Sequence, residues 1–154
     1  MSKNSRLKIC ILLLTVISCR PGATAGPGPA TAWPVVRLPD GTDVKVEYAR
    51  TPEERGQGLM YRQSMPADHG MLFIFEEAEH QSFYMKNCFF PQDMLFLDST
   101  GKVVDLTENF EPCAGDPCRT YTSKQNALYV LELNAGQVKK HGLKIGSALT
   151  LPKP

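Results

Sequence analysis

Four polar side chains interrupt otherwise apolar stretches of the sequence: Lys86, Asn87, Asp93 and Glu132. Charged side chains are rarely fully buried unless they are paired, so the fold must give them partners or present them to a ligand. If they converge at one end of the domain, aromatic side chains from the neighbouring runs, Phe83, Tyr84 and Phe90, would surround them. The pattern therefore predicts a small binding site formed by Tyr84, Lys86, Asn87, Asp93 and Glu132.

A purely structural role is the alternative for the first three of these polar residues. Asp93 would pair with Lys86 or cap the loop after Pro91, and Asn87 would satisfy carbonyl groups of a turn. In that case Asp93→Asn and Lys86→Met should each lower stability, because each substitution leaves a partner unpaired.

Two further interpretations concern Glu132. Alternation along residues 129–133 places it on the face opposite Leu131, which is compatible with a solvated position. Alternatively, Asp93 and Glu132 could act as acid and base in a hydrolase of envelope saccharides. A glycosidase would hold these carboxyl groups about 5–5.5 Å or about 6.5–9.5 Å apart in one cleft.

The amino terminus has the features of an export signal. Three basic residues, Lys3, Arg6 and Lys8, precede the uncharged apolar run 9–17, which is too short for a membrane-spanning helix. The run ends in Val16-Ile17-Ser18-Cys19, which resembles a bacterial lipobox. We therefore expect residues 1–18 to be a lipoprotein signal peptide and Cys19 to be acylated. An ordinary signal cleaved near residues 23–25 is the alternative.

Residues 19–34 are rich in proline, glycine and alanine and have almost nothing to bury, which is typical of a flexible tether. Together with the signal, this segment predicts an exported protein held in the cell envelope by its lipid, on the periplasmic side or the outer surface. The membrane, through that lipid, is then its first partner.

Export predicts an oxidising environment, in which nearby cysteines pair. Cys113 and Cys118 enclose a loop with turn-forming residues, so we expect a disulfide between them. Cys88 lies in an apolar neighbourhood and is predicted to be a buried, inert thiol.

No metal site and no cofactor is expected from the sequence. Structural zinc requires four ligands, and the histidines that could join the cysteines are scattered, namely His69, His80 and His141. The chain carries 17 basic and 16 acidic residues, a net charge of +1. This balance offers no basic surface for nucleic acid.

The remaining pattern is mostly that of short β-strands. Turn residues at 39–41 and 98–101 separate apolar runs and predict hairpins. Thr51-Pro52-Glu53-Glu54 predicts a capped helix of about two turns. A second brief helix is expected between Asn134, as its cap, and Gly142, and a last strand over residues 148–151. Residues 35–154 should therefore form a single compact β sandwich or barrel with one or two short helices.

Three motifs in register resemble the domain of unknown function 192 family, also called uncharacterised protein family 0127. They are Gly58-Leu59-Met60-Tyr61-Arg62 with Gly70-Met71-Leu72-Phe73, Phe83-Tyr84-Met85-Lys86-Asn87 with Pro91 and residues 93–98, and Tyr129-Val130-Leu131-Glu132-Leu133-Asn134-Ala135-Gly136. The resemblance implies a jelly-roll-like β fold with a short helix near its start, and no reaction. Tyr84, Cys88 and Gln92 stand where Trp, Thr and Leu are common in the family.

No complete catalytic constellation is visible in the sequence. The tether, the lipid signal and the embedded polar residues favour a non-catalytic module that binds a small ligand or an envelope partner. The saccharide hydrolase remains the alternative.

Overall fold

The computed structural model describes residues 33–153 of the 154-residue chain. The expected signal peptide, the acylation site Cys19 and nearly all of the tether lie outside these residues. The described part is mainly β, as predicted, with eight strands and two short helices. In chain order they are β1 Val35–Arg37, β2 Asp43–Ala49, α1 Pro52–Gln57, β3 His69–Glu79, β4 Ser82–Tyr84, β5 Gln92–Leu97, β6 Val103–Phe110, β7 Thr120–Thr122, β8 Ala127–Asn134 and α2 Gln137–Lys140.

The main sheet has six strands in the order β1-β2-β3-β8-β5-β6, and β4 and β7 form a separate two-stranded sheet. The chain passes through α1 between β2 and β3, which pair in parallel. The other pairs in the main sheet are antiparallel. The first and last strands of the order, β1 and β6, do not pair, so the sheet is open and not closed into a barrel.

Both faces of the main sheet are covered by other parts of the chain. One face carries a core cluster that includes Leu95 and Leu131, and the other carries a second cluster that includes Phe96 and Val130. Strand β5 is therefore buried along its whole length. Burial on both faces explains why residues 94–97 of this strand are all apolar and do not alternate with polar residues.

Helix α1 begins with the predicted capping box. The Thr51 hydroxyl accepts a hydrogen bond from the Glu54 N–H at 3.2 Å, and the Glu54 carboxylate accepts from the Thr51 N–H at 2.9 Å. Such a cap contributes about 1 kcal/mol of helix stability. The helix ends at Gly58, whose φ of 47° favours glycine.

The chain end differs from the prediction in two respects. Asn134 does not cap α2: it is the last residue of β8, and its amide donates to the carbonyls of Met65 and Pro66. Residues 148–151 form only isolated bridges, through Thr150 and Ala148. Neither helix within residues 33–153 has the length and apolar character needed to span a bilayer.

Candidate functional site

An apolar pocket of about 230 Å³ lies where the end of α1 meets β3, β4 and β8. Its walls include the side chains of Leu59, Met60, Phe73, Phe75, Phe83 and Tyr84. The thiol-bearing Cys88 and the acidic Glu132 also line it. Apolar walls with few polar groups are typical of small-molecule sites.

The pocket is built from all three motifs that carry the family resemblance. The first motif supplies residues 58–60, the second supplies Phe83, Tyr84 and the adjoining Cys88, and the third supplies Glu132. Segments that are distant in the chain therefore meet at one cavity.

Gly58 allows the first segment to lie close to the sheet. A Cβ atom at this position would be 3.2 Å from Cζ of Phe73, in addition to requiring a left-handed backbone. The glycine therefore both ends α1 and brings residues 59 and 60 against the aromatic wall.

Asn87 joins the first two segments at the pocket rim, that is, among residues that contact the lining without belonging to it: its amide nitrogen is 3.9 Å from Sδ of Met60. Its side-chain amide donates to the Tyr61 hydroxyl at 2.9 Å, and its backbone carbonyl accepts from the Tyr61 N–H at 2.8 Å. Both residues have positive φ, 56° for Asn87 and 65° for Tyr61. Asn87 therefore holds the shape of the rim, while Tyr84 lines the pocket itself.

Glu132 is buried, with an exposed fraction of 5%. It shares a sheet face with Val130, and its strand neighbours are Met71 on β3 and Met94 on β5. The interpretation of Glu132 as a solvated residue is wrong, because the second core cluster covers this face of the sheet as well.

The Glu132 carboxyl makes no hydrogen bond with any residue in the range 33–153, although its side chain lies in the pocket lining. Burial raises its pKa to about 8, and the positive charge of Arg62 opposes this effect only in part. At neutral pH the carboxyl is therefore mostly protonated, with one hydrogen-bond donor and an acceptor.

Cys88 is half-buried and lines the same pocket, so it is more accessible than predicted. Burial, and in second place the negative charge of Glu132, raises the pKa of its thiol to about 11. The thiol is thus held in its unreactive form.

Asp93 lies away from this pocket. It is completely buried, and its two carboxylate oxygens accept hydrogen bonds from the N–H groups of Asn109 (2.9 Å) and Val138 (2.8 Å). Asp93 is opposite Leu133 on β8, whereas Glu132 is opposite Met94. Because successive residues of a strand point to opposite faces, the Asp93 and Glu132 side chains lie on opposite faces of the sheet. The hydrolase hypothesis, which places both in one cleft, does not fit this register.

Lys86 also lies outside the pocket lining. Its ammonium group pairs with Asp116 at 3.1 Å, and both side chains are exposed. The expected pair between Asp93 and Lys86 is therefore wrong. Of the five predicted binding residues, the structure places Tyr84 and Glu132 in one pocket and Asn87 at its rim.

Cys113 and Cys118 have their sulfur atoms 2.11 Å apart, in agreement with the predicted disulfide. They also belong, with Asp116, to the one cluster of possible metal ligands within residues 33–153. Because both sulfurs are bonded to each other, this cluster has no thiolates to offer a metal ion.

The pocket walls contributed by Met60 and Phe73 were not predicted as site residues. Both appear in the sequence as ordinary core positions, and the only sequence signal for them is their place in the family motifs. The burial of Gln92, which is completely enclosed on β5, was likewise not predicted.

Comparison with known proteins identifies relatives of this fold. Residues 35–151 match the model of the DUF192 family, described as Uncharacterized ACR. A protein from Sinorhizobium meliloti, described as a candidate transcription regulator, is 43% identical, with a TM-score of 0.71 over 78% of this chain and 94% of that chain. A protein of unknown function from Novosphingobium aromaticivorans is 26% identical, with a TM-score of 0.69 over 84% of this chain and 94% of that chain. No curated protein matches the sequence.

Proposed function

The chain belongs to the DUF192 family, and from the geometry of its pocket we propose that it is a non-catalytic binding module for a small ligand. The ligand combines an apolar body, preferably a planar ring, with a group that hydrogen-bonds to Glu132. The rings of Phe73, Phe83 and Tyr84 supply the surface for such a body.

One observation carries the proposal: a buried carboxyl without a protein partner in the described residues lines an aromatic pocket. Because the Glu132 carboxyl lines the pocket, a ligand with a complementary group can hydrogen-bond to it there. The apolar walls around that contact strengthen the hydrogen bond, so the carboxyl favours a bound ligand.

Catalysis by the groups in the pocket is disfavoured by their electrostatics. A nucleophilic cysteine requires an environment that lowers its pKa, whereas burial, and in second place the negative charge of Glu132, raises the pKa of Cys88. Asp93, the other carboxylate considered for hydrolysis, is held by backbone N–H groups on the opposite face.

Nothing in this chain supports a role like that in the description of the Sinorhizobium meliloti protein as a transcription regulator. Nucleic-acid binding depends on a surplus of basic side chains, and here 17 basic residues face 16 acidic ones.

The binding module is further proposed to be lipid-anchored at the cell envelope. The support is the lipobox-like sequence at 16–19 and the proline- and glycine-rich segment 19–34. Stable anchoring of this kind requires more than one acyl chain, which a lipidated and N-acylated Cys19 would carry.

A set of matched ring compounds tests the binding proposal: benzamide, benzoate, phenol and benzylamine. Binding is followed by NMR through the methyl resonances of Met60 and Met71, with Lys86→Met as a control variant outside the pocket. We expect at least one compound to shift these methyls, Glu132→Leu to weaken its binding about tenfold or more, and Glu132→Gln to retain most of it. Gln is informative because its amide keeps a donor and an acceptor. If none of the four shifts the methyls, or if Glu132→Leu binds as well as the wild type, the proposal is wrong.

The anchor is tested separately by Cys19→Ala. We expect this variant to lose acyl-chain labelling and membrane fractionation and to accumulate as an unprocessed or differently processed precursor. Unchanged labelling would contradict the lipoprotein assignment without affecting the pocket.

A further inference from the structure

A second buried polar side chain lies near Glu132 on the same face of the sheet. Gln92, the first residue of β5, is 0% exposed, and neither its amide nitrogen nor its amide oxygen has a hydrogen-bond partner in residues 33–153. These two atoms are the only enclosed side-chain nitrogen and oxygen atoms without a partner in the described part of the chain. Native proteins rarely leave such groups unsatisfied, so Gln92 requires an explanation.

The pairing of β5 with β8 places Gln92 diagonally to Glu132. Gln92 is directly opposite Asn134, and Met94 is directly opposite Glu132. Residues two apart in a strand share a face, so Gln92 and Met94 point to the same side as Glu132. Diagonal neighbours of this kind have backbones about 7–8 Å apart, within the reach of two long side chains.

The other polar groups where β5 pairs with β8 already have partners or face the other side of the sheet. The side-chain amide of Asn134 donates to the carbonyls of Met65 and Pro66, and Asp93 points to the opposite face. The direct strand neighbours of Glu132, Met71 and Met94, have no group that could satisfy a primary amide. On the β8 side, Glu132 is therefore the polar side chain left to match Gln92, whereas on the β6 side Thr107, opposite Met94, offers only a hydroxyl.

The two groups are chemically complementary. A primary amide has N–H donors and a carbonyl acceptor, and a protonated carboxyl has one O–H donor and one carbonyl acceptor. The amide N–H can donate to one carboxyl oxygen, or the amide oxygen can accept from the carboxyl O–H, and either contact leaves the other carboxyl oxygen for a ligand.

We propose that Gln92 is a positioning residue for the pocket: its amide and the carboxyl of Glu132 hydrogen-bond to each other across β5 and β8, directly or through one water molecule. The two side chains do not hydrogen-bond to each other in the structure, so the contact requires a rotation about their terminal torsions. The contact determines the orientation in which the carboxyl meets a ligand. The part of this inference that concerns a ligand rests on the proposed function; the contact between the two side chains does not.

The first test uses the wild-type protein without ligand and follows the side-chain amide resonances of Gln92 by NMR during a pH titration. We expect the Gln92 amide chemical shifts to change with a midpoint at the pKa of Glu132, which is about 8. In Glu132→Gln this transition should be absent. The other groups around Glu132, namely Arg55, Arg62 and Cys88, are unchanged in that variant. Gln81 is the matched control, because its amide already donates to the carbonyl of Ala127. Gln92 resonances that do not change through the titration would overturn the proposal.

The second test is a double-mutant cycle of Gln92→Leu and Glu132→Leu in the unfolding equilibrium. If the side chains are paired, each single substitution leaves the other group without its partner. The unfolding equilibrium constant of the double variant should then differ by about tenfold or more from the value expected if the two single effects were additive. Gln81→Leu combined with Glu132→Leu should be additive. Additive effects of Gln92→Leu and Glu132→Leu would contradict the pairing.

The outcomes separate this proposal from the binding proposal. Coupling between Gln92 and Glu132 without binding of any ring compound supports the pair and refutes the ligand site. Binding of a ring compound that Gln92→Leu weakens about tenfold supports both. If a ring compound binds but the effects of Gln92→Leu and Glu132→Leu on stability are additive, the pair is refuted and the ligand site is supported.

Discussion

Asp93 and Glu132 lie on neighbouring strands of one sheet, yet their carboxyl groups face opposite sides of it. The register pairs Asp93 with Leu133 and Glu132 with Met94. The Asp93 carboxylate is satisfied by two backbone N–H groups, whereas the Glu132 carboxyl has no partner in the described residues. The two buried acids therefore have different roles: Asp93 stabilises the fold, and Glu132 is available to a ligand.

Asp93→Asn is expected to lower the free energy of unfolding by about 2–3 kcal/mol, because an amide can accept from only one of the two N–H groups and turns its NH₂ toward the other. Urea denaturation measures this change. Lys86→Met serves as the control and should change stability by less than about 1 kcal/mol, because its ion pair with Asp116 is exposed. The two substitutions should therefore differ, because Lys86 and Asp93 have different partners and do not pair with each other. A stable Asp93→Asn variant would show that these backbone contacts contribute little.

Glu132 should make stability depend on pH. Its ordinary pKa is 4.5 and its folded pKa is about 8, so between these values the folded state binds more protons than the unfolded state. The free energy of unfolding therefore decreases as pH rises through this window, and the loss is complete above the folded pKa.

Glu132→Gln removes this titration while leaving Arg55, Arg62 and Cys88 in place. Relative to this variant, the wild type should lose on the order of 3 kcal/mol between about pH 5 and about pH 8. Parallel stability curves for the two proteins would mean that the Glu132 carboxyl is ionised in the folded state at neutral pH.

Local patterns predicted the parts of this fold that depend on adjacent residues. The capping box at Thr51 and the disulfide between Cys113 and Cys118 follow from short spacings. The burial of Glu132 does not, because alternation assigns a side chain to a face but does not say whether another layer covers that face. The partners of Asp93 were equally hidden: Val138 and Asn109 are distant in the chain and contribute backbone N–H groups, which no side-chain pattern reveals.

Cys88 is expected to react slowly with iodoacetamide. With a pKa of about 11, its thiolate fraction near pH 8 is about 100-fold below that of an ordinary thiol, and the rate should rise about tenfold per pH unit. Mass spectrometry of the peptide that contains Cys88 follows the reaction, with the unfolded chain as reference. Above about pH 8, Glu132→Gln should react faster than the wild type, because a nearby negative charge that disfavours the thiolate has been removed. Equal rates in the two proteins would show that the charge of Glu132 does not affect the Cys88 thiol.

The loop closed by Cys113 and Cys118 should contribute to stability independently of the pocket. The loop lies between β6 and β7 in the chain and contacts the segment that follows β4. There the Cys113 N–H donates to the Met85 carbonyl at 3.1 Å, and Lys86 pairs with Asp116. In the chain-entropy model, closing so short a loop raises the free energy of the unfolded chain by about 2 kcal/mol. Cys113→Ser combined with Cys118→Ser should therefore lower the free energy of unfolding by about that amount, and a reducing agent should do the same to the wild type. Cys88→Ser is the control and should keep the full sensitivity to reduction, because Cys88 is not bonded to either of the other cysteines in residues 33–153. If reduction leaves the wild type unchanged, or if Cys88→Ser abolishes its effect, the disulfide is paired differently or does not stabilise the domain.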